Sequence, residues 1–436
     1  MSIARPAVWA LLGTLGVLTI VALPDLGSGA WPFAPTDVHP HGVLGPLVRA
    51  ADEEWDPDVP RTAAMIAALL VALAGAVAWR ADHWRRRWAI ALCAVVAGLL
   101  VVPAALLQVG LRDATAPWYH VNDSTYQIDI AGDLVLDGEN PYGHDYRDTG
   151  LERWYPAAGE GGRRQVALDH FAYFPGTVLT AAAWRVLPAP FDDYRLFVLL
   201  ATLALLPAAL LLPGPFAARL AVGTALAANP LAIKAVWFGT ADAPSVLCLV
   251  LAFALAVRSR WVWAAVLLAV AVLLKQFALV ALPFLAVMFI VRGGSRATAV
   301  RAGAAFGGVL LAGALPFLIA DPGALWDDTI AYGAGTYRIV GYGLSALLVR
   351  AGVIDDRFDP YPFALLALLV WAPVTVWLLL GQLRSRELWM GAAGFSISMF
   401  VLLFLGRVFQ TSYLVWPLAG IAIAYLLAAG EREEGT

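Results

Sequence analysis

The segments "WVWAAVLLAVAVLL" (261–274) and "QFALVALPFLAVMFIV" (276–291) are parted by a single lysine, and most of the chain is built from runs of this kind. Many approach or exceed the ~18 apolar residues that cross a bilayer. Hydrophobic residues make up 61% of the 436 and charged residues 14%, against about 25% charged in an ordinary soluble domain. The expectation is an all-α polytopic membrane protein. A net charge of −3 carries no signature of nucleic-acid binding. Cys93 and Cys248 both lie in apolar runs, so neither a disulfide framework nor a Cys-x-x-Cys metal site is expected.

Candidate spans fall at about 7–23, 62–79, 88–110, 194–212, 218–237, 243–257, 261–274, 276–291, 299–320, 361–380, 388–405 and 409–428. The first follows Arg5, and "GSGA" (27–30) looks like a cleavage site. Its apolar core is longer than that of a signal peptide, so an uncleaved helix is expected. Basic residues set the orientation. Arg80, Arg85, Arg86 and Arg87, then Arg219, Arg258 and Arg260, Arg292 and Arg296, and Arg384 and Arg386 occupy every second connection. The other connections include the long acid-rich loops 24–61, 111–193 and 321–360. Both termini are therefore expected in the cytoplasm of a plasma-membrane protein, with the long loops on the periplasmic or extracellular side. "YFPGTVLTAAAWRVLP" (173–188) is too short and interrupted for a span and would invert everything after it, so it is expected as a juxtamembrane or re-entrant helix.

The segment "HVNDSTYQIDIAGDLVLDGENPYGHDYRD" (120–148) stands directly after the third span. A loop this long is seldom a mere connector. Its "QIDIAGDLVLDG" part predicts a short interfacial helix that ends at Gly138 and Pro141. Asp123 stands before that helix, at the lip of the bilayer. It is either a helix cap or surface group, or a carboxylate within reach of lipid headgroups. Asp129, Asp133, Asp137, Asp145 and Asp148 read as solvated acids, and Asn122 opens a glycosylation sequon.

These residues carry a resemblance. "DSTY" (123–126), "IAGDLVLDGENPYGHDY" (130–146) and "FAYFP" (171–175) resemble the first outer loop of the GT-C glycosyltransferases, above all the actinobacterial mannosyltransferases that use polyprenyl-phosphate-mannose. "NPLAIKAVWFGTAD" (229–242), "LLKQF" (273–277) and "FQTSYLVWP" (409–417) agree with it. The family's Tyr-Pro-Pro is Tyr173-Phe174-Pro175-Gly176 here, its frequent Gly-Gln is Gly239-Thr240, and no second acid forms an Asp-x-Asp with Asp123. The resemblance implies a GT-C-like bundle of about twelve transmembrane helices. Residues 1–87 would add two spans and an acidic loop, 88–430 would form the core with its outer loops, and 431–436 a cytoplasmic tail.

The implied activity is inverting transfer of a sugar, with mannose the expected one, from a polyprenyl-phosphate donor to a glycan or glycolipid acceptor of the cell envelope. Asp123 matches the catalytic base. Lys275 is assigned to the donor phosphate, and Arg338 and Arg407 join it as cations of the outer side. Tyr126, Asn140, Tyr142, His170, Asp242, Gln410 and Tyr413 are the expected substrate-binding residues. Lys234 and Lys275 are the chain's two lysines, and snorkelling to the interface is their bland role; for Asp242 it is capping. His120, His144 and His170 match no zinc spacing, and Mg²⁺ or Mn²⁺ between carboxylate and phosphate is left open. "GAGTYRIVGYG" (333–343) is expected as a flexible covering loop, and Trp118, Trp154, Trp326 and Trp416 as an interfacial belt. The competing class is a transporter or flippase of a lipid-linked glycan, but the internal repeats common in transporters are not evident.

Overall fold

The computed structural model describes residues 38–49, 66–68, 70, 86–115, 121–154, 168–336 and 338–434. The expected span 7–23 and most of 62–79 lie outside these residues, as do Trp118, His120 and Tyr337. The chain is mostly helical. Five of its helical stretches are long and apolar enough to cross a membrane: Arg86–Ala114, Phe216–Phe238, Arg296–Ala320, Phe363–Ser385 and Thr411–Arg432. Tyr194–Leu210, Ala243–Val257, Trp261–Leu274, Gln276–Val291 and Trp389–Leu405 fall on expected spans but are shorter. At ~1.5 Å per residue they reach about 20–26 Å, short of the ~30 Å hydrocarbon core. Twelve full-length spans are therefore not what the described residues contain.

The labels used below are α1 (Arg86–Ala114), α2 (Asp123–Leu136), α3 (Pro175–Arg185), α4 (Tyr194–Leu210), α5 (Phe216–Ala228), α6 (Pro230–Phe238), α7 (Ala243–Val257), α8 (Trp261–Leu274), α9 (Leu282–Val291), α10 (Arg296–Ala320), α11 (Phe363–Ser385), α12 (Trp389–Leu405) and α13 (Val415–Glu434). The chain divides into two compact units, residues 1–125 with 184–243, and residues 126–183 with 244–436.

In the first unit α1 packs against α4, α5 and α6, and a one-turn helix, Gly45–Arg49, lies on α1. Val48, Leu107, Leu111 and Ala114 form that contact. The expected span 218–237 is interrupted. Asn229 caps α6 by accepting from Ala232 N (3.1 Å), and Pro230 occupies the first turn. Proline suits that position because it has no N–H to satisfy there.

In the second unit α8 runs beside α10, α12 beside α13, and α9 packs on α11 and α12. Lys275 ends α8 in extended geometry (φ −157°, ψ 124°), and a 3-10 turn, Gln276–Ala281, leads into α9. The interrupted segment 173–188 holds the eleven-residue α3, about 16 Å long. It presses on the end of α8. A Cβ on Gly176 would stand 2.7 Å from the Leu273 carbonyl carbon, and the Thr177 hydroxyl donates to Leu274 O at 2.5 Å. That bond satisfies one of the carbonyls a helix C-terminus leaves without an intrahelical partner.

The loop after α10 carries short elements of secondary structure. It holds a helical turn, Pro322–Trp326, then a wide π-helical stretch, Asp327–Thr336, then a two-residue strand β1 (Val340–Gly341). β1 pairs in parallel with β2 (Val408–Phe409). Expectation for the tryptophans divides: Trp326 is exposed, whereas Trp416 is fully buried and meets Phe277 edge-on at 5.9 Å, so it belongs to the core and not to a belt.

Candidate functional site

In the first unit Asp123 is the first residue of α2 and is half-buried. Asn122, not Asp123, caps the helix: its Oδ1 accepts from Thr125 N and from the Ser124 hydroxyl, both at 2.9 Å. Asp123 Oδ1 accepts from its neighbour Ser124 N (2.8 Å). The turn is hooked onto the C-terminus of α6, where the Thr125 hydroxyl donates to Gly239 O at 2.5 Å. Gly239 has φ 76°, and a Cβ there would overlap that hydroxyl and press on Arg195 Cγ. A side chain at this position is excluded on both counts. Asp242 is buried three residues further on, directly before α7.

Around Gly239 lies a charged network that the sequence reading missed. Arg195 is fully buried and grips Asp193 through Nε (2.9 Å) and Nη2 (2.6 Å), while Arg112 Nη1 reaches the same carboxylate at 3.1 Å. Arg195 also donates to Gln108 O and Trp237 O, tying α1, α4 and α6 together. Burial by itself would raise the Asp193 carboxyl, but the two guanidiniums outweigh it and hold it well below the usual carboxylate range. The adjacent "DDYR" at 192–195 was the available signal.

The second unit gathers Tyr142, His170, Lys275 and Tyr413 around the segment 170–173. Lys275 Nζ, nearly buried, stands 5.1 Å from the Tyr413 ring, 5.5 Å from Phe277 and 5.9 Å from Tyr173. Cation–π attraction at these distances steadies an ammonium at the break between two apolar helices. The Tyr142 hydroxyl donates to Tyr173 O (2.9 Å) and its ring packs edge-on against Phe171 and Phe317. Burial, with the neighbouring Tyr146 and Asp328 adding to it, pushes the Tyr142 phenol well up, so it stays a donor. His170 pairs with Asp328 through Nδ1 at 2.5 Å. Asp328 was not anticipated, and the pair of acids at 327–328 in an outer loop was its only sequence sign; Phe277 and Tyr173 stand in the motifs that carry the resemblance but were not among the expected site residues.

Other expected residues have structural jobs. Tyr126 is buried, its hydroxyl donates to Thr149 O (2.8 Å), and its ring meets Trp154 at 5.0 Å. Asn140 closes a turn by accepting from Tyr142 N (3.2 Å). Arg407 is buried and donates to Asp359 O (3.1 Å) and Arg357 O (3.4 Å), so two of its donors brace a loop rather than face a phosphate. Arg338 and Gln410 are exposed, before β1 and after β2. Asp129 is not a solvated acid: it is 2% exposed, because α2 is buried through its first turns. Lys234 lies over Phe238 (5.6 Å). Among the described residues no cluster of three or more His, Cys, Asp or Glu is placed to hold a metal ion.

Fold and site thus define a mostly helical protein with helices fit to cross a membrane and polar clusters at their ends. No protein family model matches the chain, and no curated protein or solved structure matches it.

Proposed function

We propose that this chain is a multi-pass GT-C-like glycosyltransferase, with both termini cytoplasmic and its long loops on the outer face. It moves a sugar, mannose being the first candidate, from a polyprenyl-phosphate donor to a glycan or glycolipid acceptor. The observation that carries the reading is Lys275. A charge within an apolar helix pair is costly and marks function more often than packing. This one sits at a helix break among three aromatic rings, where an anionic headgroup is its natural complement. The order of the loop motifs supports the rest.

In this reading Asp123 takes the acceptor hydroxyl proton as that oxygen attacks the anomeric carbon. The bond from that carbon to the phosphate oxygen breaks, configuration inverts, and the electron pair leaves with polyprenyl phosphate, whose developing negative charge cations stabilise. The test is transfer of label from polyprenyl-phosphate-mannose by the purified protein in nanodiscs. Asp123→Asn keeps the acceptor oxygen for Ser124 N and should fold normally, yet lose turnover by a factor on the order of 10²–10⁴. The exposed Asp137→Asn serves as the control. Movement of intact lipid-linked sugar across proteoliposomes without transfer would favour the transporter class instead.

A further inference from the structure

His170 is expected to bind substrate, but the transfer step above gives its pairing with Asp328 no chemistry. Asp328 is 1% exposed and its carboxylate is held by two main-chain donors, Gly143 N (2.9 Å) and Phe171 N (3.1 Å), both on Oδ2. Its other oxygen faces His170 Nδ1 at 2.5 Å. The imidazole is fixed from two further directions: its ring stacks on Tyr332 (4.7 Å, 26°), and its own carbonyl accepts from Gln127 Nε2 (2.9 Å). A carboxylate opposite Nδ1 places the hydrogen on that nitrogen, which leaves a lone pair on Nε2 of the neutral ring. Nε2 has no hydrogen-bond partner among the described residues, and the side chain is 25% exposed.

A strut joining these loops needs only the carboxylate and the two main-chain N–H groups. The imidazole adds an oriented acceptor that points away from its anchor. Three residues along the same segment, Tyr173 lies against Lys275. We infer that His170 Nε2 and its positioning residue Asp328 form a subsite that accepts a hydrogen bond from a sugar hydroxyl. The identification of the ligand as a sugar rests on the transferase reading. Phosphate is the poorer occupant, because its oxygens and the Nε2 lone pair are both acceptors.

Diethyl pyrocarbonate, which acylates unprotonated imidazole nitrogen, tests this on the full-length protein in nanodiscs. Peptide mass spectrometry separates His170 from the chain's five other histidines. His170 should react, and methyl mannoside at about ten times its dissociation constant should slow it roughly tenfold, whereas polyprenyl phosphate should not. Asp328→Asn, where it retains the wild-type melting temperature, should lose that protection. The wild-type experiment decides alone if the variant does not fold. An inert His170, slowing by polyprenyl phosphate rather than the glycoside, or slowing by neither overturns the subsite. Protection by the glycoside in a protein that transfers no sugar removes the transferase reading and leaves the subsite standing.

Discussion

Asp193 is one carboxylate between two guanidiniums, and its removal would leave Arg195 and Arg112 facing each other without their counter-ion. Breaking a buried pair by deleting one partner costs about 3–5 kcal/mol. Asp193→Asn is expected to lose that much in denaturant unfolding, nearer the lower end because the amide oxygen still accepts. The pH dependence follows from the depressed carboxyl. The native carboxyl is ionised across the ordinary range, so its contribution is complete above about pH 4 and fades as the pH falls further. The variant should therefore lose this part of the acid sensitivity. At this scale the sequence was partly legible. A carboxylate at 123, a lysine at 275 and a histidine at 170 could be singled out by type and position. Their partners could not, since His170 meets Asp328 across 158 residues. The tyrosine hydroxyls turned inward to main-chain carbonyls for the same reason: only the folded loops reveal which buried acceptors need a donor.

The break at Lys275 is the element on which most of the second unit's polar chemistry converges. α8 stops there because its last residues are handed to α3: Thr177 takes the Leu274 carbonyl while Gly176 lets the backbones meet. Thr177→Val keeps the shape but strands a buried acceptor, a loss of about 1–3 kcal/mol. We expect lower thermal stability in detergent and faster proteolysis near Lys275, and an unchanged melting temperature would deny the bond this role. Helix positions were legible wherever charge punctuated an apolar run. Ala243–Val257 and Trp261–Leu274 fall where the runs predicted them. The run 218–237 was read as one helix because its apolar character continues through Asn229-Pro230, and a cap inside a greasy stretch leaves the hydropathy pattern unchanged. The structure in 327–341 was hidden by glycine, which permits turns and loops but does not say which.

For the molecule as a whole, coverage separates the long helices. Only 6% of the apolar stretch of α10 and 11% of that of α11 is buried inside the protein, against 50% for α1. Leu311, Leu315, Ile319, Leu368, Val376 and Trp377 are exposed along the two uncovered helices. Apolar surface on that scale calls for lipid or another protein to cover it, and lipid matches the composition. Orientation then rests on the arginines. Arg86, Arg87, Arg258, Arg260, Arg292, Arg296, Arg384 and Arg386 fall in alternate connections, and the orientation proposed above puts them in the cytoplasm. Asp145 lies in the other set and its side chain is 65% exposed. Neither native cysteine is exposed, with Cys93 buried and Cys248 partly so, which keeps background labelling low. In whole cells, Asp145→Cys should react with a membrane-impermeant maleimide, and Arg384→Cys should react only after permeabilisation. The opposite pattern would turn the loops that bear Asp123, His170 and Asp328 toward the cytoplasm, and an outward-facing transfer site would fall with it.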